Sequence, residues 1–318
     1  MYAFEDDYSE FTTQNYRSPV PQTTYFITKC KKCGLSLNYL PEIKRYFLNS
    51  WEISLGMPIL VLTIIISSYL VFIFFQYKLL GIFSYYEYLY LTILMILYIF
   101  SYISCILEGP GYLPFYYPIR PFSSIKENDP FDLSGVVTNS NQLDYAKSAP
   151  AIPRSYFFKS ARRVVIRPDH FCGWVQSFIG KKNHKLFFHF NMWGSIYCIS
   201  FFVTSLRSII TLFSDDTNSA NFPIVALIFN ILYTIMALSF IILQSNFVVS
   251  MICLFFRNKT QFEDWKTVSH SPIKYGCDGW VDVCGPTRKW YTWILPFSPF
   301  HGQDPESLLE DNAGNKLL

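Results

Sequence analysis

The sequence predicts an all-α polytopic membrane protein with four transmembrane helices and a cytosolic loop domain between the second and third helices. Two observations support this fold class. Four apolar stretches are each long enough, at ~1.5 Å per residue, to cross a ~30 Å hydrocarbon core. In addition, 51% of the 318 residues are hydrophobic and 19% are aromatic, which is more apolar than an ordinary water-soluble domain.

The first two predicted helices form a hairpin within residues 53–107, after an N-terminal region of residues 1–52. The first helix covers about 53–77, with Pro58 near its start, where a helix tolerates proline. The second covers about 85–107 and carries Glu87 near its entry. An acid inside a membrane is costly, so we expect Glu87 to reach the interface.

The other two predicted helices lie within residues 185–250, at about 186–213 and 223–250. The short connection between them contains no Lys or Arg, whereas residues 108–184 contain ten. The positive-inside bias therefore places both termini and the 108–184 loop in the cytosol. Residues 251–318 form a C-terminal tail. We expect an integral multi-pass protein of an endomembrane, such as the endoplasmic reticulum or Golgi, or of the plasma membrane.

The candidate reactive residues lie together in the 108–184 loop, at Asp169, His170 and Cys172. A cysteine attacks as thiolate, and its ordinary pKa near ~8.5 leaves little thiolate at neutral pH without help. His170 can supply the base, and Asp169 can orient the imidazole and stabilise its protonated form. The same three residue types also occur together by chance, so this pattern alone leaves an unreactive loop open.

A longer string resembles the core of the DHHC-type protein S-acyltransferases. It reads Asp-His-Phe-Cys-Gly-Trp-Val at 169–175, followed by Ile-Gly-Lys-Lys-Asn at 179–183. Glu108-Gly-Pro-Gly, Thr260-Gln-Phe-Glu263 and the aromatic stretch from Tyr275 to Phe297 are similar to three further family elements. The resemblance implies a protein-cysteine S-palmitoyltransferase whose catalytic residues are Cys172, His170 and Asp169.

The resemblance also shows where this sequence departs from the family. In the family the loop holds two zinc ions, each with three Cys and one His. Counted from Cys172 without gaps, the eight ligand positions all carry other residue types, six of them apolar: Asp144, Lys147, Phe157, Phe158, Ala161, Val164, Phe171 and Phe178. We therefore expect no zinc and a small aromatic cluster in place of the metal. Gly173 replaces the family's proline.

The resemblance implies palmitoyl-CoA as acyl donor, and as partners the lipid bilayer and protein substrates with juxtamembrane cysteines; no nucleic acid is implied. Because CoA carries phosphates, five basic residues that flank the reactive loop are candidates for binding it, although such residues also set topology: Arg162, Arg163, Arg167, Lys181 and Lys182. Asn183 and Glu263 are interpreted as structural residues. His184 and His189 have no evident partner in the sequence and are interpreted as interfacial.

One alternative of another class stays open, a catalytically inactive membrane scaffold of the same family. The replaced zinc positions favour it, and the retained Asp169, His170 and Cys172 oppose it. A small transporter is disfavoured, because the apolar stretches carry few ionisable groups and show no inverted repeat.

Overall fold

Four long helices dominate the structure, a computed structural model. It describes residues 22–23, 25–29, 36–40, 45–48, 51–112, 136–137, 154–158, 160–161, 163–214, 223–266, 278–286, 292–301, 303 and 308. Arg162, Asp144, Lys147 and most of the 108–153 linker lie outside the described residues.

Each of the four helices is long and apolar enough to cross a membrane. Helix α1 spans Gly56–Val71 and continues as a wider π-helical turn over Phe72–Leu79, and α2 spans Tyr85–Glu108. Helix α3 spans His184–Ser214, and α4 spans Ile224–Phe256. The predicted fold class is confirmed, although α4 continues six residues past its predicted end.

Helix α3 packs along both α2 and α4, and polar side chains join the helices inside the bundle. The Ser68 hydroxyl of α1 shares a 2.8 Å hydrogen bond with Tyr197 of α3. Nearer the end away from the reactive loop, Gln76 Nε2 donates to Asn230 Oδ1 at 2.8 Å, and Ser205 donates to the same oxygen at 2.6 Å. Such bonds stabilise helix pairs in an apolar surrounding, where no water competes for them.

Glu87 lies in the first turn of α2, and its expected position at the membrane interface stays a prediction. Its side chain completes a capping box with Ser84 at the start of α2, and its Oε1 pairs with Arg207 Nη1 at 2.7 Å. The carboxylate is 38% exposed, so the ion pair is a surface pair.

A small antiparallel sheet precedes α1, and the sequence analysis did not predict it. Its strands, in the order β2–β3–β4–β5, are Tyr25–Lys29, Ser36–Leu40, Arg45–Leu48 and Trp51–Glu52. A separate two-residue pair joins β1, Gln22–Thr23, to β6, Val136–Val137. Phe47 and Trp51 are buried, so the sheet lies against the protein rather than projecting from it.

The reactive loop folds into two antiparallel hairpins beside the end of the bundle. Strands β7, Ser155–Phe158, and β8, Arg163–Ile166, form the first; β9, His170–Cys172, and β10, Ser177–Ile179, form the second. Two short helices follow α4, namely α5, Gln261–Trp265, and α6, Asp278–Cys284. We call strands β7–β10 together with α5 and α6 the lobe.

Close backbone contacts fix the lobe to the bundle. The Ile166 N–H donates to Gly111 O at 3.0 Å, and the Lys181 N–H donates to Ile166 O at 3.0 Å. A Cβ added to Gly180 would meet Pro110 O at 2.6 Å, so only glycine allows this approach. Asn183 accepts from the Gly180 N–H and donates to Phe178 O, which makes it structural, as expected.

Candidate active site

The β9–β10 hairpin brings the three predicted reactive residues together. Cys172 pairs with Ser177 and His170 with Ile179 across the hairpin, and the Asp169 N–H donates to Ile179 O at 2.7 Å. Residues 170 and 172 lie on the same face of a strand because side chains alternate between faces. The strand therefore places the imidazole beside the thiol.

Hydrogen bonds join these side chains into one chain. His170 Nδ1 lies 2.8 Å from Asp169 Oδ2, and the ring also hydrogen-bonds to the Cys172 side chain. Burial lowers the pKa of His170, but the hydrogen bonds and negative charges of Asp169 and Cys172 outweigh burial and raise this pKa to about 10. With this raised pKa, His170 is a strong base for a proton, and its ring lies between a carboxylate and a sulfur.

Asp169 is buried and has partners on both carboxylate oxygens. Its Oδ1 accepts from the Gln261 backbone N–H at 2.7 Å and lies 3.7 Å from His184 Nε2. Burial raises the pKa of Asp169, but His184, the His170 hydrogen bond and the Gln261 N–H together bring this pKa well below its usual value. Asp169 is therefore an anion fixed in position.

The interpretation of His184 and His189 as interfacial residues was wrong. Both are buried, and His184 lies between Asp169 and Arg167, whose Nη1 is 3.4 Å from its Nδ1. His189 donates from Nε2 to Trp293 O at 2.7 Å. Their partners come from chain segments far away in sequence, so no local pattern could have shown them.

Helix α5 positions the Gln261 N–H through its own cap. Thr260 accepts from the Glu263 N–H, and Glu263 Oε2 accepts from the Thr260 N–H at 2.8 Å, which forms a capping box. Arg154 donates a hydrogen bond to each of the two Glu263 carboxylate oxygens, both at 2.7 Å. The Thr260–Glu263 element thus orients Asp169 from outside the reactive loop.

Asp282 of α6 lies at the centre of an ion-pair network that also contains Arg154, Arg167, Lys181 and Glu263. Arg167 Nε is 2.8 Å from Asp282 Oδ2, Arg154 Nη1 is 3.1 Å from the same oxygen, and Lys181 contacts Oδ1. Burial raises the pKa of Asp282, but the three cations, Arg167 foremost, bring it well below its usual value. We call this group the Asp282 network.

This network changes the assignment of the predicted CoA-binding residues. Arg167 and Lys181 are 0% and 1% exposed, and both pair with Asp282. We therefore assign them a structural role instead of the expected binding of CoA. Lys182 is partly exposed and pairs with Glu108 at 3.0 Å. Arg162 and the Arg163 side chain lie outside what the structure describes.

Within the described lobe, apolar clusters occupy the positions that hold zinc ligands in the family. Phe178 contacts Phe158 and Phe171, with ring centroids 4.5 Å and 5.4 Å apart, and Phe262 of α5 extends this cluster. Phe157 and Val164 belong to a second cluster with Ile166, Phe300 and Leu308. The expected aromatic cluster is present.

The side chains at these positions do not fit zinc, because zinc needs Cys, His or carboxylate ligands. Nor does any group of three or more His, Cys, Asp and Glu residues suited to a metal occur in the described part of the chain.

An apolar cavity lies inside the bundle, next to the reactive hairpin. Residues of all four helices line it, together with Trp174 of the hairpin. Two lining residues, Phe187 and Phe247, contact the His170 ring at centroid distances of 5.0 Å and 6.3 Å. Ser68 and Tyr197, which hydrogen-bond to each other, line it deeper in the bundle. The cavity therefore borders two residues that contact the His170 ring.

Fold and site together define a class: a polytopic membrane protein with a cysteine–histidine–aspartate group at one end of its helix bundle, beside an apolar cavity. Residues 138–268 match the family model described as DHHC palmitoyltransferase. The match includes the reactive hairpin and the Thr260–Glu263 element. Over these residues the chain is thus similar to the DHHC palmitoyltransferase family.

Individual relatives agree with this family. The chain is 28% identical over 168 residues to Palmitoyltransferase PFA3 of Debaryomyces hansenii, which covers 45% of the chain and 40% of the relative. It is 29% identical to Palmitoyltransferase ZDHHC15 of Xenopus laevis, over 42% of the chain and 39% of the relative. The chain is also 25% identical to Probable protein S-acyltransferase 13 of Arabidopsis thaliana, over 64% of the chain and 69% of the relative. The chain spans less than half the length of the PFA3 relatives it matches.

Proposed function

We propose that this protein is an S-acyltransferase that moves a palmitoyl or similar long-chain acyl group from acyl-CoA, through a thioester on Cys172, to cysteines of membrane-associated proteins. The observation that carries the proposal is the position of His170. Its ring hydrogen-bonds to both Asp169 and Cys172 and contacts two walls of the apolar cavity. A thioester carbonyl beside Cys172 would have its acyl chain directed into this cavity.

The first half-reaction forms the acyl-enzyme. His170 takes the Cys172 proton, and the thiolate attacks the thioester carbonyl of acyl-CoA. The bond between the acyl carbon and the CoA sulfur breaks, and the leaving CoA thiolate receives the proton from His170. Asp169 keeps the imidazole oriented and stabilises its charge throughout.

The second half-reaction uses the same residues. A substrate cysteine gives its proton to His170 and attacks the acyl carbon of the Cys172 thioester. The bond between that carbon and the Cys172 sulfur breaks, and Cys172 leaves as thiolate and takes the proton from His170. The cavity shelters the acyl chain between the two steps, with ~0.8 kcal/mol of favourable burial per methylene.

The orientation of the protein in the membrane and the residues that bind CoA are also part of this proposal. The positive-inside bias puts the lobe and both termini in the cytosol, where acyl-CoA would reach Cys172 from an endomembrane or the plasma membrane. Lys182, Arg163 and Arg162 are the cations that we retain as candidates for the CoA phosphates. Both half-reactions use protein side chains alone, and the side chains at the described ligand positions do not fit zinc.

The inactive scaffold is the competing function, and acyl labelling separates the two. Purified protein is incubated with an alkyne-tagged palmitoyl-CoA, and label released by neutral hydroxylamine is measured. We expect labelling of the wild type and its loss in Cys172→Ser, with Cys253→Ser as a matched control at an exposed thiol. Absence of label on the wild type, or equal label on Cys172→Ser, would favour the scaffold.

A further inference from the structure

The segment 292–297, between α6 and the end of the chain, presents apolar side chains outward. Ile294, Leu295 and Phe297 are 55%, 44% and 55% exposed. Phe297 is not isolated, because its ring lies 5.5 Å from the ring of Phe100 on α2, in an edge-to-face contact. The exposed apolar surface of this segment thus joins the outer surface of a predicted transmembrane helix.

The contact with Phe100 indicates how deep the segment lies. Phe100 is eight residues before Glu108, the last residue of α2, and therefore ~12 Å further into the bilayer. Glu108 marks the polar edge, because it pairs with Lys182 at 3.0 Å and His301 at 2.7 Å. Phe100 and Ile103 are themselves exposed on the outer face of α2. The ring of Phe297 consequently lies on the hydrocarbon side of that edge.

Two buried side chains of α3 donate hydrogen bonds to three backbone carbonyls of the segment. Lys185 Nζ donates to Thr292 O at 2.7 Å and to Phe297 O at 2.9 Å, and His189 Nε2 donates to Trp293 O. Irregular backbone is costly in hydrocarbon because its carbonyls find no water. The donors supplied by α3 lower this cost for three carbonyls, while the apolar side chains remain on the outside.

We propose that residues 292–297 form a loop inserted into the membrane, whose Ile294, Leu295 and Phe297 contact lipid acyl chains of the leaflet on the lobe side. Continuity with the outer face of α2 favours lipid over a protein partner. The loop also tethers the reactive hairpin, because the Ser298 hydroxyl donates to Lys182 O at 2.8 Å, three residues after β10. This inference is independent of acyl transfer and concerns the membrane contact alone.

Depth-dependent fluorescence quenching tests the insertion. Leu295 is replaced by a small fluorescent amino acid in the full-length protein, which is placed in phosphatidylcholine nanodiscs with or without lipids brominated in the acyl chains. The same label at Ile103 is the lipid-facing control, and at Tyr46 of β4 the water-facing control. We expect the label at 295 to be quenched by brominated lipid as at 103 and to resist iodide. Quenching by iodide as at 46 would overturn the proposal.

A second variant tests the support from α3. Lys185→Met removes the donor to two loop carbonyls, so we expect loss of brominated-lipid quenching and a gain of iodide quenching at position 295. Lys78→Met, at the other end of the bundle, is the matched control and should change neither. If Lys185→Met leaves the label as deep as in the parent protein, the role assigned to Lys185 is wrong.

Discussion

Neutralising Asp282 should destabilise the lobe far more than neutralising an exposed acid with similar contacts. Asp282 is the shared anion of Arg167 and Lys181, which are fully buried, and of Arg154, which is nearly so. Asp282→Asn keeps the shape of the side chain but leaves these cations without their central charge. Removing one partner of a buried ion pair typically costs about 3–5 kcal/mol.

Glu87→Gln is the matched control. Glu87 also pairs with an arginine at 2.7 Å, but both side chains are exposed, and surface pairs contribute about 0–1 kcal/mol. The substituted side chain would still accept the capping hydrogen bond, since an amide retains a carbonyl oxygen. The two substitutions therefore differ in burial and in the number of cations that lose their partner.

The assay is equilibrium unfolding of the purified protein in mixed micelles, followed by tryptophan fluorescence. We expect the free energy of unfolding to fall by about 3–5 kcal/mol for Asp282→Asn and by under about 1 kcal/mol for Glu87→Gln. A loss for Asp282→Asn no larger than that of the control would show that the network does not hold the lobe together.

Three further predictions concern the cavity and the site. Ser68→Phe fills the deep end of the cavity and should cost a bound long acyl chain ~1–3 kcal/mol. Labelling by palmitoyl-CoA should then fall roughly tenfold or more, whereas labelling by the shorter lauroyl-CoA should not change. The control Ser239→Phe, at an exposed position of α4, should change labelling by neither donor. Gly173→Ala should keep full labelling and stabilise by ~0.4–1 kcal/mol, because an added Cβ meets nothing within 4 Å; lost labelling would contradict this. The pKa of His170, raised from 6.5 to about 10, contributes stability that is complete below the unfolded value and is lost as pH rises towards 10. The unfolding free-energy difference between wild type and His170→Gln should shrink over that range, and a constant difference would refute the assignment.

The sequence was sufficient for the helices and for the local part of the site. Long apolar runs specify transmembrane helices whatever surrounds them, which is why α1 to α4 begin and end within a few residues of the predicted positions, apart from the end of α4. Asp169, His170 and Cys172 are neighbours in one short strand segment, so their proximity follows from the local order of residues.

What the sequence could not show depends on distant chain segments. Gln261 reaches Asp169 through its backbone N–H, a group that every non-proline residue has, so no side-chain pattern reveals it. Arg167 and Lys181 look like free surface cations in sequence because their partner, Asp282, is about 100 residues away. The N-terminal sheet was missed because β3 and β4 occur in a polar, aromatic stretch without clear alternation.

The sequence predicts a lobe without zinc, and the apolar clusters and the Asp282 network would then keep the site rigid. A structural zinc supplies roughly 10 kcal/mol or more, whereas one buried phenylalanine supplies about 1.5–3 kcal/mol. Phe158, Phe171 and Phe178 alone would therefore leave a deficit, and they hold only the outer side of the reactive hairpin. Asp282 holds the inner side of the hairpin. It pairs with Arg167, which lies just before the hairpin in sequence, and with Lys181, which lies just after it. Because these two cations flank the hairpin in sequence, one carboxylate closes its base, and the alignment of His170 with Cys172 depends on that closure.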